Sequence, residues 1–249
     1  MAATSNPPDT AAIIQHVDFD PTTAQRVSHR AVPQQPPTVQ EPDPGWASAF
    51  AELESRIRRA LGGRALHVGH VGSTSVPGLP AKPVIDVDVV VADPADEAAY
   101  VGALVGEGWE EQKAPGTGLG TGMGPEGGDR GAGLQFILRE PAWLQHRFFV
   151  CADPVANVHV FGPGCPEVVR HRMFRDWLVE VRTLADHLCP LPRWDEQHPE
   201  DRDRYAAVKR EAAAAAREAG ETVQDYNLRK EFVIREILDR AFKAEGLLQ

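Results

Sequence analysis

Cysteine is scarce in this chain of 249 residues. Cys151, Cys165 and Cys189 are an odd set without CxxC spacing, which excludes a disulfide framework and argues against a structural zinc site. Basic residues are also under-represented: 26 Lys and Arg stand against 36 Asp and Glu, a net charge of −10. That disfavours a uniformly basic nucleic-acid-binding surface, although it leaves room for a local basic cleft. No apolar run approaches the roughly 18 residues of a membrane span. The opening MAATSNPPDTAAII has neither the basic start nor the apolar core of a secretory signal. No glycine-rich loop ends in Lys-Ser or Lys-Thr, so P-loop chemistry is not expected. Together these absences predict a cytoplasmic chain with reduced thiols, and neither a membrane nor a nucleic acid as partner.

What the chain does have is punctuation. Residues 1–44 hold eight of the 21 prolines and little apolar periodicity. They are expected to form a tail, flexible or draped over the body, with Ala11–Ile14 and Arg26–Val32 as patches that could dock. Residues 116–133 carry nine glycines, a composition that gives no packing and costs much entropy to order. A linker within an expanded loop is the favoured expectation, a lid over a site the other.

Between and after these stretches the pattern is regular. WASAFAELESRIRRAL places Phe50, Leu53, Ile57 and Leu61 at helical spacing, and Gly62 and Gly63 stop it. LHVGHV alternates like a strand, and PVIDVDVVVA is the strongest strand signal in the chain. ADEAAYVGALVGEGW reads as a helix, LQFILRE, RFFVCA and NVHVFG as short antiparallel strands, and the segments from Pro166 onward as helices. This order predicts an α+β domain over residues 45–249. A small mixed sheet occupies about 45–162 and a helical half about 163–249.

Two features carry chemistry. Asp86 and Asp88 lie two apart on the strong strand, so both carboxylates share one face. A lone Asp-x-Asp is usually a pair of solvated surface acids, but these sit in VIDVDVVV, where unpaired charge is expensive. Mg²⁺ or Mn²⁺ would compensate them, because hard cations take oxygen ligands. Upstream, Gly72 and Ser73 form a turn able to offer backbone N–H groups to an anion. Thr74 and Ser75 add hydroxyls, and Lys82 adds charge.

The string HVGSTSVPGLPAKPVIDVDVVV resembles the GrpB-like family, a branch of the nucleotidyltransferase superfamily that includes DNA polymerase β and the aminoglycoside-modifying enzymes. The similarity runs from about Pro44 to Phe242. It takes in WASAFAELESRI, NVHVF, HRMFRDWL and the closing Tyr205, Lys209, Tyr226 and Lys230.

The resemblance implies a nucleoside triphosphate, most simply ATP, with its β- and γ-phosphates at Gly72 and Ser73. The metal would sit on Asp86 and Asp88, and the nucleotidyl group would pass to a small-molecule acceptor with release of pyrophosphate. Lys82 and Arg147 are the preferred cations for the triphosphate. His70 is expected to brace the turn. Superfamily enzymes place a third acid on a neighbouring strand. Here that place holds Asn157-Val158-His159-Val160, so His159 is the candidate base or metal ligand. Two alternatives stay open: a nucleotide- or phosphate-binding module without turnover, and a metal-dependent enzyme of other chemistry built on Asp86, Asp88 and His159.

Overall fold

The computed structural model describes residues 8–17, 20, 22–29, 36–106, 131–179 and 198–249. The first long helix, α1 (Gly45–Leu61), buries Trp46, Leu53, Ile57 and Leu61 along one stripe. Each such side chain contributes about 1.5–3 kcal/mol by leaving water. The helix ends where Gly62 adopts φ +56°. Strand β1 (His67–Val71) then leads through the Ser73–Ser75 turn to β2 (Ile85–Val90). Among the described residues of the segment ADEAAYVGALVGEGW, only Val101–Val105 is an α-helix (α2), closed at Gly106. Residues 107–130, with most of the glycine-rich stretch, fall outside the described residues, as do residues 180–197, with Cys189 and Trp194.

Three strands follow: β3 (Gln135–Glu140), β4 (His146–Ala152) and β5 (Val155–Phe161). They pair antiparallel in sequence order, as hairpin-linked strands do. β5 then lies parallel to β2, which pairs antiparallel with β1. The result is a mixed sheet in the order β3-β4-β5-β2-β1, with the two-residue strand Gln25–Arg26 added beside β3. The Asp-x-Asp strand is therefore interior, hydrogen-bonded on both edges.

One face of the sheet is apolar. Val87, Val89, Phe136, Phe149, Val158 and Val160 pack there against α1 and α2. The C-terminal half is helical as expected: α3 (Pro166–Leu178), α4 (Pro199–Glu218) and α5 (Val223–Ala244). These helices share a second core with Met173, Trp177, Tyr205, Val233, Ile237 and Phe242. Buried Asp201 locks it, accepting from Trp177 Nε1 at 2.8 Å and from Arg240 Nε at 2.9 Å. Parts of the expected tail are docked. Ile13 is buried in the helical core, Arg170 donates to the carbonyl of Gln15, and Gln40 pairs with Ala81. No helix among the described residues is long and apolar enough to cross a membrane.

Candidate functional site

The second sheet face carries the polar residues. Register fixes which they are: Asp86 lies opposite Asn157, Asp88 opposite His159, and His159 opposite Phe148. Alternation then puts Asp86, Asp88, Asn157, His159 and His146 on one side and Val87, Val89, Val158 and Val160 on the other.

Gly72 adopts φ +68° and ψ −170°, a region open essentially to glycine alone. A Cβ there would stand 2.5 Å from Asp86 Oδ2. The turn backbone and the first carboxylate are thus pressed together, as the sequence spacing predicts. The three hydroxyls of the turn divide their roles. Ser75 donates to Gly72 O at 2.6 Å, and Thr74, which is buried, donates to Val84 O at 3.3 Å. These two hold the turn instead of facing a ligand. Ser73 Oγ instead meets a helix, 3.5 Å from Tyr205 Oη on α4. His70 lies on the apolar face, stacked on Phe50 at 4.6 Å, with Nε2 3.1 Å from Thr74 Oγ1. It braces the turn, and burial pushes its pKa down to about 4.

The two acids have different partners. Asp86 Oδ1 accepts from Asn157 Nδ2 at 2.9 Å. Asp88 has no exposed surface. Both of its oxygens meet His171 Nδ1, at 3.1 and 2.9 Å. Burial opposes charge on His171, but Asp88, then Glu167 and Asp86, outweigh it and push the imidazole up to about 9. A protonated histidine thus already compensates Asp88.

The donor chemistry at Asp86 suits a hard cation: a partly exposed carboxylate with lone pairs left over after one amide contact. Asp88, expected as a second metal ligand, is buried and paired with His171. Among the described residues no group of three His, Cys, Asp or Glu is placed to hold a metal. Of the trio Asp86, Asp88 and His159, Asp88 meets His171 and His159 meets His146.

Arg147, expected to serve the triphosphate, lies on the wrong face. Its register partner is Val160, so it points into the apolar side. There its Nε donates to Glu97 at 2.7 Å and Arg139 holds the same carboxylate. Burial works against charge on Glu97, but the two guanidiniums hold it below the usual carboxylate range.

Three lysines cluster near the polar face, Lys82 from the loop before β2 and Lys209 and Lys230 from the helical half. Lys209 on α4 is buried, donates to Pro80 O at 2.5 Å and sits 5.1 Å from the Tyr205 ring centre. Lys82 and Lys230 flank the Tyr226 ring at 5.1 and 5.4 Å. Burial, reinforced by the charge of Lys230, drives Lys209 well below the usual lysine range, while Asp86 pulls the other way. Lys82, expected as a cation for the triphosphate, thus stands with Lys230 at the Tyr226 ring, whereas Arg147 is on the other face of the sheet. Residue-level reading missed the roles of His171, His146 and Glu140. The only available signal was a strand histidine in alternation with Phe148, which does not disclose its partners.

The sequence profile of the GrpB protein family matches residues 36–240. The chain is 37% identical over 204 residues to a UPF0157 protein of Halalkalibacterium halodurans, covering 82% of both. It is 30% identical over 192 residues to a dephospho-CoA kinase of Mycolicibacterium paratuberculosis, covering 75% of this chain but only 46% of that protein. The crystal structure of the conserved protein GrpB from Enterococcus faecalis superposes with a TM-score of 0.57 at 24% identity, over 84% of this chain and 99% of that one. The chain belongs to the GrpB family and has its nucleotidyltransferase-like α+β fold.

Proposed function

We propose that this member of the GrpB family binds a nucleoside triphosphate, ATP in the simplest case, and transfers its nucleotidyl group to a small-molecule acceptor. The observation that carries the reading is the close approach of the Gly72 backbone to Asp86, with Lys209 within electrostatic reach of that carboxylate and Lys82 and Lys230 at the Tyr226 ring. A phosphate chain lying on the Gly72–Ser73 turn would meet backbone N–H groups, the Ser73 hydroxyl and the Lys82–Lys230 pair at once. Its α-phosphate would then border Asp86. A Mg²⁺ ion entering with the triphosphate and held by Asp86 would neutralise charge developing on the transferred phosphorus. Asn157 fixes the Asp86 carboxylate, and the His171 imidazolium keeps Asp88 from repelling the incoming anion.

The kinase chemistry named for the mycobacterial relative is not carried over, since this chain lacks a P-loop and spans under half of that protein. A second reading, ligand binding without turnover, is favoured by Asn157 standing where the superfamily has an acid.

Thermal unfolding with each nucleoside triphosphate, with and without Mg²⁺, tests the binding. At 100 times the dissociation constant the expected stabilisation is about 2.7 kcal/mol, and it should vanish in Asp86→Ala. No shift with any triphosphate would overturn the proposal. Binding without pyrophosphate release, across a panel of hydroxyl, carboxylate and phosphate acceptors, would select the second reading.

A further inference from the structure

A chain of three side chains, buried Glu140 and His146 and half-buried His159, runs across the polar face. Glu140 on β3 is 4% exposed and His146 on β4 is 2% exposed. Glu140 Oε2 stands 2.5 Å from His146 Nδ1, and His146 Nε2 stands 3.0 Å from His159 Nδ1. The rings of His146 and His159 stack with Phe161, at 4.8 and 6.3 Å, so their planes are held as well as their nitrogens. Such a chain offers only two proton arrangements, because each nitrogen between the ends either donates or accepts. With Glu140 ionised, His146 donates from Nδ1 and accepts at Nε2, and His159 donates from Nδ1 and carries a bare Nε2. With Glu140 protonated, every proton moves one place and His159 carries Nε2–H.

We propose that Glu140 and His146 are positioning residues that fix His159 with a bare Nε2, making His159 the proton acceptor of the site in place of the superfamily's third acid. The proposal rests on the nucleotidyl-transfer reading above. The first arrangement is the resting one because a carboxylate facing an imidazole Nδ1 takes the N–H in a hydrogen bond, which leaves the opposite nitrogen as the acceptor. Among the described residues His159 Nε2 has no hydrogen-bond partner, and the ring lies on the face of Asp86 and Asp88. The charged and titratable groups around it are His146, Asp88, His171 and Asp86, with Glu167 beyond His171.

The step balances as follows. The acceptor O–H proton passes to His159 Nε2 while the oxygen lone pair forms the bond to the α-phosphorus. The bond from that phosphorus to the bridging oxygen breaks, and its electron pair leaves with pyrophosphate. The Nδ1 proton of His159 moves to His146 Nε2, and the Nδ1 proton of His146 moves to Glu140. One proton is thus carried about two ring widths from the reacting centre, and neither ring is left charged. Burial favours this: it pushes His146 down to about 3 and His159 to about 4, keeping both rings neutral, and pushes Glu140 up.

Ring-nitrogen NMR of the full chain labelled in histidine reads the tautomers directly near neutral pH. In the unaltered protein His159 should show a protonated Nδ1 and a bare Nε2, and His146 the same. In His146→Phe, which keeps a ring but removes the acceptor, His159 should relax towards the Nε2–H form. Single-turnover transfer by that variant should fall at least 10²-fold, while triphosphate affinity stays within about twofold. A protonated Nε2 on His159 in the unaltered protein overturns the relay, whether or not the variant folds. So does a variant that transfers at the original rate. The tautomer spectrum needs no nucleotide, so failure to bind any triphosphate would remove the parent reading without touching that result.

Discussion

His171 Nδ1 stands 2.9 Å from Asp88 Oδ2, joining a helix to the buried centre of the sheet across 83 residues of sequence. An interior carboxylate without exposed surface must be compensated, and here a side chain does it. His171→Ala leaves Asp88 charged and alone. That variant should lose about 3 kcal/mol of stability in urea unfolding, as breaking a buried pair does. Asp88→Asn removes the charge with its need, and should cost less than His171→Ala. Equal losses would show that the pair is not electrostatic.

The same pair sets the alkaline limit. The folded pKa of His171, about 9, is above its unfolded value of 6.5. Its contribution is therefore complete below 6.5 and is lost as pH rises through 9. On the acid side the sign reverses. His70, His146 and His159 are depressed to about 4, 3 and 4 from 6.5, so the unfolded chain binds protons that the folded one refuses. Stability should fall as pH drops from 6.5 towards 4. Midpoints of denaturant unfolding across this range check both limbs, and His70→Gln should flatten the acid one.

Gly72→Ala places a methyl group 2.5 Å from Asp86 Oδ2 at a backbone angle of φ +68°. The strain should cost about 1–3 kcal/mol. Triphosphate binding should be lost with it, since the turn and the carboxylate must separate. Calorimetry on the folded fraction checks this, and Gly78→Ala, at a φ of +76° with no contact closer than 3.8 Å, is the control for backbone strain alone.

Lys230→Ala should weaken triphosphate binding about tenfold, roughly 1.4 kcal/mol, with little change in Tm, because the ammonium lies beside the Tyr226 ring at 5.4 Å and is not buried. Lys209→Met should instead alter both, since that lysine is 1% exposed and anchors Pro80. Titration calorimetry and thermal melts on the two variants separate these roles.

Arg147→Leu should destabilise the chain by about 1–3 kcal/mol through the lost Glu97 contacts. It should leave triphosphate affinity unchanged. A large loss of affinity at constant stability would contradict the facing of that strand.

The outline of the site was legible before any coordinates. Glycine at 72 and acids two apart on an apolar strand are local features, and spacing along a strand fixes which side chains share a face. The α+β order followed from hydrophobic period and from glycine and proline punctuation in the same way. Local pattern also singled out Lys82, and the family resemblance pointed to His159.

What it did not decide was who partners whom. Arg147 and His146 are neighbours in sequence, yet alternation sends one to Glu97 beneath the sheet and the other to Glu140 and His159 above it. Only the register of β4 against β5 settles which is which, because a slip of one residue would exchange them. The pairing of β2 with β5, which brings Asn157 to Asp86, and the packing of α3, which brings His171 to Asp88, are long-range events of the same kind. The sequence by itself determined the elements, the turn and the acids, because these depend on neighbours along the chain. The tertiary structure alone decided the counterion of Asp88, the lysines around the Tyr226 ring and the Glu140–His146–His159 chain, because each depends on strands and helices far apart in sequence meeting in one register.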